Sequence, residues 1–284
     1  MAPRLSVDVS YYRRWAGNFA VTDNRAVTSA DYTRYSVVAP SSFPGATIPL
    51  PDDAAGRTTN GFYDLNPNKV GQVNNLITLA RKFGDQYEHW NGVDFTVNAR
   101  MQNGLTVQGG VATGKQTTDN CEIRAALPES TFPFGAPTPD DYCHVTQGLQ
   151  TQLKLLGTYL VPKVDVQLAA TFQNNPGPLI PANYFVPAAN IVGLGRPLSN
   201  GSPTVLYNLL VPNSLYGDRT TQLDIRMSKL FRMKTSRVSI NFDLANLLNR
   251  NDILGVTTTY GAAWQTPTTI LDPRLFKLGV QFDF

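Results

Sequence analysis

No stretch of this 284-residue sequence approaches the ~18 consecutive apolar residues that a membrane-crossing helix requires. With a mean hydropathy of −0.19, helical anchors are excluded. Charge is scarce: 16% of residues are charged, against roughly 25% in ordinary soluble domains. A net charge of +3 without any basic run gives nucleic acid nothing to hold. Only two histidines are present, His89 and His144, both in regions without regular patterning. No Ser–His–Asp set or carboxylate pair can be assembled from them, so no catalytic residue is assigned and no enzyme is expected. Gly193-Leu-Gly195 is followed almost at once by Pro197 and by no helical pattern, which excludes a phosphate loop, and no cofactor is expected. The opening Met1-Ala-Pro-Arg-Leu5 lacks the charged-then-apolar order of a secretory leader. A strand pattern that has begun by Leu5 favours a sequence whose N-terminal part is missing.

What the sequence does have is alternation, seen best in its last eleven residues. Phe276, Leu278, Val280, Phe282 and Phe284 are apolar, and Lys277, Gly279, Gln281 and Asp283 between them are polar or bare. Period two places the two sets on opposite faces of a strand. At ~3.3 Å per residue the segment is roughly 36 Å long, enough to cross a bilayer at a tilt near 40°. Taken alone, the segment equally suits the core of a β-sandwich.

The same pattern recurs seven times upstream. Leu5, Val7, Val9 and Tyr11 form the first run; Val93, Phe95, Val97, Ala99 and Met101 the second; Leu105, Val107, Gly109 and Val111 the third. Leu149, Leu153, Leu155, Tyr159 and Val161 mark the fourth, and Val164, Val166, Leu168, Ala170 and Phe172 the fifth. Leu223, Ile225 and Met227 mark the sixth, and Val238, Ile240, Phe242 and Leu244 the seventh. Residues 76–83 read as extended, and residues 74–88 could lengthen the second strand upward; residues 204–211 read as a local strand. Gln102-Asn103-Gly104 is a strong hairpin signal, because Asn-Gly supplies the positive φ a tight turn needs. Pro162-Lys163 and residues 233–236 also read as short turns. Residues 17–71, 119–146, 174–217 and 249–273 are rich in Pro, Gly, Asn and Thr and read as long loops.

Short and long links alternate, so all tight turns fall on one rim and all long loops on the other. This is the rhythm of outer-membrane barrels. The expected fold is therefore all-β, a single antiparallel transmembrane β-barrel domain over residues 1–284 with about eight strands. It either closes on itself or forms part of a larger barrel; polar side chains able to fill a narrow lumen favour closure of the first strand on the last.

Four segments carry a family resemblance: Trp90-Asn-Gly-Val-Asp-Phe-Thr-Val-Asn-Ala-Arg100, Gly217-Asp-Arg219 through Lys229-Leu-Phe231, Phe242-Asp-Leu-Ala-Asn-Leu-Leu-Asn249, and Pro273-Arg-Leu-Phe through Phe284. Together they resemble the C-terminal barrel portion of a TonB-dependent outer-membrane receptor, of the long-loop variety with a regulatory-like N-terminal domain. The resemblance implies a bacterial outer-membrane location and uptake of a bulky, scarce solute such as a siderophore or glycan. It implies lipid and the barrel-assembly machinery as partners, with Phe276, Leu278, Val280, Phe282 and Phe284 as the assembly signal. TonB itself would be engaged only through a plug domain that this sequence does not show. The alternative is a self-contained eight-stranded barrel acting as an adhesin or anchor. A soluble β-sandwich is a third reading, and it requires protein to cover Phe276, Leu278, Val280 and Phe282.

Cys121 and Cys143 fall in one predicted external loop, and a disulfide between them suits an oxidising exterior. A metal site from Cys121, Cys143, His144 and His89 matches no zinc spacing, so no metal is expected. Asp8, Asp94, Arg100, Lys154, Asp165, Asp224, Arg226, Asp243 and Asp283 are expected on the inward face, chiefly as cross-strand pairs. Tyr11, Tyr12, Trp15, Trp90, Tyr159 and Phe172 are expected near strand ends, where an interfacial girdle would form.

Overall fold

A computed structural model describes residues 4–42, 48–101, 103–131, 138–233 and 236–284. Residues 1–3, Gln102 of the first expected hairpin, residues 234–235 of the third, and loop residues 43–47 and 132–137 lie outside the described residues.

In chain order the strands are β1 (Leu5–Ala16), β2 (Ala20–Asn24), β3 (Tyr32–Val38), β4 (Thr58–Leu65), β5 (Asn75–Leu79), β6 (Tyr87–Arg100) and β7 (Leu105–Asp119). A short helix, α1 (Cys121–Ala126), precedes β8 (His144–Thr146), β9 (Gln150–Val161), β10 (Val166–Asn175), β11 (Asn183–Pro187), β12 (Ile191–Val192) and β13 (Thr204–Asn208). Then come β14 (Thr220–Arg232), β15 (Arg237–Ala245), β16 (Ile253–Val256), β17 (Pro267–Ile270) and β18 (Leu275–Asp283). The eight alternating runs are β1, β6, β7, β9, β10, β14, β15 and β18. They lie side by side in that order, every pair antiparallel, in one sheet that β8 extends briefly beside β7.

Register makes one face of this sheet continuous. Leu5 stands opposite Ala99, Ala99 opposite Val107, and the row continues through Gly157, Ala170, Ile225 and Leu244 to Phe276. Every strand contributes, and every member is apolar or glycine. At ~4.8 Å between strands the row is roughly 34 Å wide. Among the described residues no second layer covers this face, and of its large apolar side chains only Leu244 is buried. Phe276, Leu278, Val280 and Phe282 are between 57% and 77% exposed, so the protein cover that a sandwich requires is not there.

The sheet does not close. Among the described residues β1 pairs only with β6 and β18 only with β15, and both outer edges are free. The expected closure of the first strand on the last is thereby overturned. Closing a sheet needs a consistent stagger and tilt around the whole ring; the registers here place Leu5 and Phe276 on the same row at opposite ends of an open array.

The short links from β6 to β7, from β9 to β10 and from β14 to β15 leave their strands at one rim. The four long connections leave from the other. Gly104 takes the positive φ (+86°) expected of the first hairpin. The turn at Pro162-Lys163 is two residues longer than its sequence suggests: Lys163 and Asp165 adopt left-handed conformations, and β10 begins at Val166 rather than Val164.

The long loops fold on one another. Residues 75–79 do not extend the second strand but pair with β2 as a separate ribbon. β3 pairs with β4 and β12, β11 with β13, and β16 with β17. Tyr35, Val37 and Phe62, from the first loop, are buried with Tyr142 from the second, Val186, Tyr207 and Leu209 from the third, and Tyr260 and Trp264 from the last. Among the described residues the hydrophobic core therefore lies in the loops, while of the long-strand apolar side chains only Leu244 is buried.

Candidate functional site

The polar face of the sheet is a wall of mixed charge. The carboxylate of Asp243 opposes Arg226 in register and pairs with it; Asp283 opposes Arg237, 3.1 Å away. Asp165 lies in the tight turn after β9 and meets Arg232 at 3.2 Å. Asp224 accepts from Gln222 at 3.0 Å and from the Asn246 amide at 2.8 Å. Asp8 accepts from the Ser10 hydroxyl. Arg100, Lys154 and Asp94 share this face but join no ion pair among the described residues. These surface pairs stabilise by at most fractions of a kcal/mol each.

The aromatic residues divide between faces. Tyr11 and Trp15 share the apolar face with Val9, as do Tyr159 and Phe172 with Leu155. Tyr12 and Trp90 do not: they oppose Gly92 and Arg14 on the polar face. Their girdle assignment is corrected, because adjacent residues of a strand point oppositely and Tyr11-Tyr12 cannot both face one way.

Above the wall, the loop body is locked at Tyr142. Its neighbour Cys143 is disulfide-bonded to Cys121, with Cα atoms 4.8 Å apart. Both thiols are used there, so the four-residue set with His89 and His144 does not form. His144 Nδ1 lies 2.8 Å from an Asp119 carboxylate oxygen, and His89 stacks on Tyr87 with centroids 4.9 Å apart. The Tyr142 hydroxyl donates to the Asn208 carbonyl at 3.1 Å and accepts from Arg57, whose guanidinium also donates to the Leu209 carbonyl at 2.8 Å. Burial pushes the Tyr142 hydroxyl well above the usual phenol range. The disulfide thus joins the β7–β8 segment to the core through one buried ring. Replacing both cysteines by serine should lower the loop body's stability by about 3 kcal/mol, the loop-closure value for 22 residues. Urea midpoints from limited proteolysis of the loops will measure it, and midpoints unchanged from the parent would mean that Tyr142 holds the segment without the bridge.

A cleft of about 290 Å³ opens on the loop body beside Tyr63, Phe185, Asn200 and Thr204. The Tyr63 hydroxyl donates to Asp140 at 2.8 Å; burial first, and then the Asp140 carboxylate, push it up to about 12. Asp64, buried under the cleft, is held by Arg196 and by the Ser199 amide and hydroxyl. Phe185, opposite Leu206, is 55% exposed at the mouth. The sequence offers one weak signal for this body, the alternation at residues 204–211 that becomes β13; Tyr35 and Val37 carry the same signal in β3, masked by polar flanks.

Asp252 ties the last loop to the wall. Its carboxylate accepts from Arg250 Nε at 2.8 Å and from the Thr221 amide at 2.6 Å. The Arg250 hydrogen bond holds it below the usual carboxylate range, against burial and with help from Thr221. A lowered folded-state pKa stabilises above the unfolded value, near ~3.9, and that stabilisation is lost as pH falls through the folded value. Asp252→Asn should therefore lower the melting temperature at neutral pH and lose its difference from the parent in acid, below about pH 4. Parallel acid titrations of the two melting temperatures test the sign.

No family model matches the chain, and no curated protein matches it.

Proposed function

We propose that the eight-stranded sheet is a section of the wall of a bacterial outer-membrane β-barrel. In this reading the loop body is the outward, solute-meeting cap of an uptake receptor of the TonB-dependent type. The observation that carries this is the face that holds the row from Leu5 to Phe276, apolar on all eight strands, on which Leu5, Val7, Val9, Phe276, Leu278, Val280 and Phe282 stay exposed among the described residues. An apolar face of that width in water would exceed the few-hundred-Å² patches that soluble monomers tolerate; in a membrane, lipid covers it. Sorted connections support the same reading, with tight turns toward the periplasm and folded loops outside. Free edges on β1 and β18 favour a wall continued by further strands over a small barrel complete in itself, since exposed edges are a liability. The mixed-sign wall then faces the lumen. Lipid and the assembly machinery are the partners this implies, and a plug outside these residues would engage TonB.

The experiment uses neighbouring residues on opposite faces. The whole chain, refolded into vesicles containing mid-chain brominated lipid, carries Leu278→Trp or Lys277→Trp. The first is expected to be strongly quenched and the second weakly. Equal quenching of both, or a chain that stays in buffer without vesicles, would remove the membrane reading.

A further inference from the structure

We propose that the polar wall carries a stacking platform for a sugar ring at Trp90, making the solute a neutral oligosaccharide; this rests on the wall facing a lumen. Trp90 opposes Arg14 on β1 and Gln116 on β7. Two residues further along the same face of β6 stands Gly92, opposite Gly114 of β7. A Cβ on Gly92 would lie 2.1 Å from Cη2 of Trp90, and one on Gly114 2.4 Å from its Cζ2. The indole therefore lies down on the bare backbone of two strands, and any side chain at either glycine would lift it. Glycine weakens a strand interior, so a facing pair beneath one aromatic ring is a costly arrangement whose product is a flat, fixed ring.

The cleft beside that ring, about 450 Å³, is lined by Tyr12, Arg13, Arg14 and Asp94 besides Trp90; register turns Arg13 to the opposite face of β1, opposite Asn91. Tyr12 opposes Gly92, and Asp94 is the next inward residue of β6, opposite Ser10. Among the described residues, the Trp90 Nε1, the Tyr12 hydroxyl, the Arg14 guanidinium and the Asp94 carboxylate form no hydrogen bond or ion pair. A pyranose presents a flat C–H face and a rim of hydroxyls. The C–H face fits a flat indole, and the rim suits planar groups such as guanidinium and carboxylate, which donate and accept in pairs. Arg14 and Asp94 cancel in charge. On this face the cleft therefore offers paired donors and acceptors without a net charge to select an anion, which suits a neutral sugar.

The test is isothermal titration calorimetry of the whole chain in detergent, titrated with maltohexaose, cellohexaose or a ferric tris-catecholate. One of the two sugars is expected to give a saturable heat change. Trp90→Ala should abolish it, Trp90→Phe should keep it within a few-fold, and Asp94→Asn, at a site without protein partners, should weaken it about tenfold, the loss of one charged hydrogen bond. No saturable response to either sugar, a response only to the catecholate, or one indifferent to both Trp90→Ala and Asp94→Asn would overturn the platform. Vesicle quenching at Leu278→Trp without a sugar response would defeat the platform alone; absent quenching would defeat the membrane reading on which it rests.

Discussion

Leu278→Arg is expected to prevent stable insertion of the sheet into lipid. Leu278 is 77% exposed in the middle of β18, directly opposite Phe242. A cation on the lipid face of a transmembrane strand costs about 2–4 kcal/mol at the bilayer midplane, a large share of a typical domain stability of ~5–15 kcal/mol. The adjacent Lys277→Arg, on the polar wall opposite Asp243, should change stability by less than about 0.5 kcal/mol. Flotation with liposomes and the heat-modifiable mobility of the folded form measure both. If Leu278→Arg inserts as well as the parent, the row does not face lipid. The contrast between neighbours matters more than the single loss, because general misfolding would not respect the alternation.

Trp264→Ala should collapse the loop body and leave the sheet standing. The indole is 2% exposed, donates from Nε1 to the Pro181 carbonyl at 3.0 Å, and packs edge-on against Tyr260 at 5.3 Å. Truncating a buried tryptophan costs about 3–5 kcal/mol through lost transfer energy and an unfilled cavity, and here it also leaves a carbonyl without its donor. Trp264 comes from the last loop and Pro181 from the third, so the cost falls on the contact between loops. Brief proteolysis should then cut residues 176–219 and 246–274 while the eight-stranded sheet stays protected. Trp264→Phe should keep much of the packing and lose about 1 kcal/mol for the hydrogen bond. Loops as resistant as the parent's in Trp264→Ala would show that each loop is held by its own contacts.

The eight long strands were legible because a two-sided sheet writes its pattern into every second residue. Their order was legible because tight turns force neighbours to pair. The Cys121–Cys143 bridge was legible from two cysteines sharing one loop. The loop body was not. Tyr35 and Phe62 stack across β3 and β4 at 5.4 Å, and Tyr207 meets Phe62 edge-on at 5.1 Å, yet these residues lie 27 to 172 positions apart in a polar background. β4 hides its own alternation further: Gly61, at φ +83°, is the extra residue of a bulge that shifts register between Tyr35 and Ser36.

Tyr12 and Trp90 mark the boundary between the two kinds of information. Their chemistry suits an interface belt, and composition alone sent them there; parity of register turned them to the polar wall, and Gly92 and Gly114 laid the indole flat on it. The sequence by itself determined the all-β class, the strands, their faces and the rim on which each loop emerges, because local alternation and turn chemistry act over a few residues. Only the tertiary structure decided that the sheet stays open, that four loops share one core, and that Trp90 lies across two glycines. Those outcomes depend on contacts between segments distant in the chain, whose geometry no local pattern encodes.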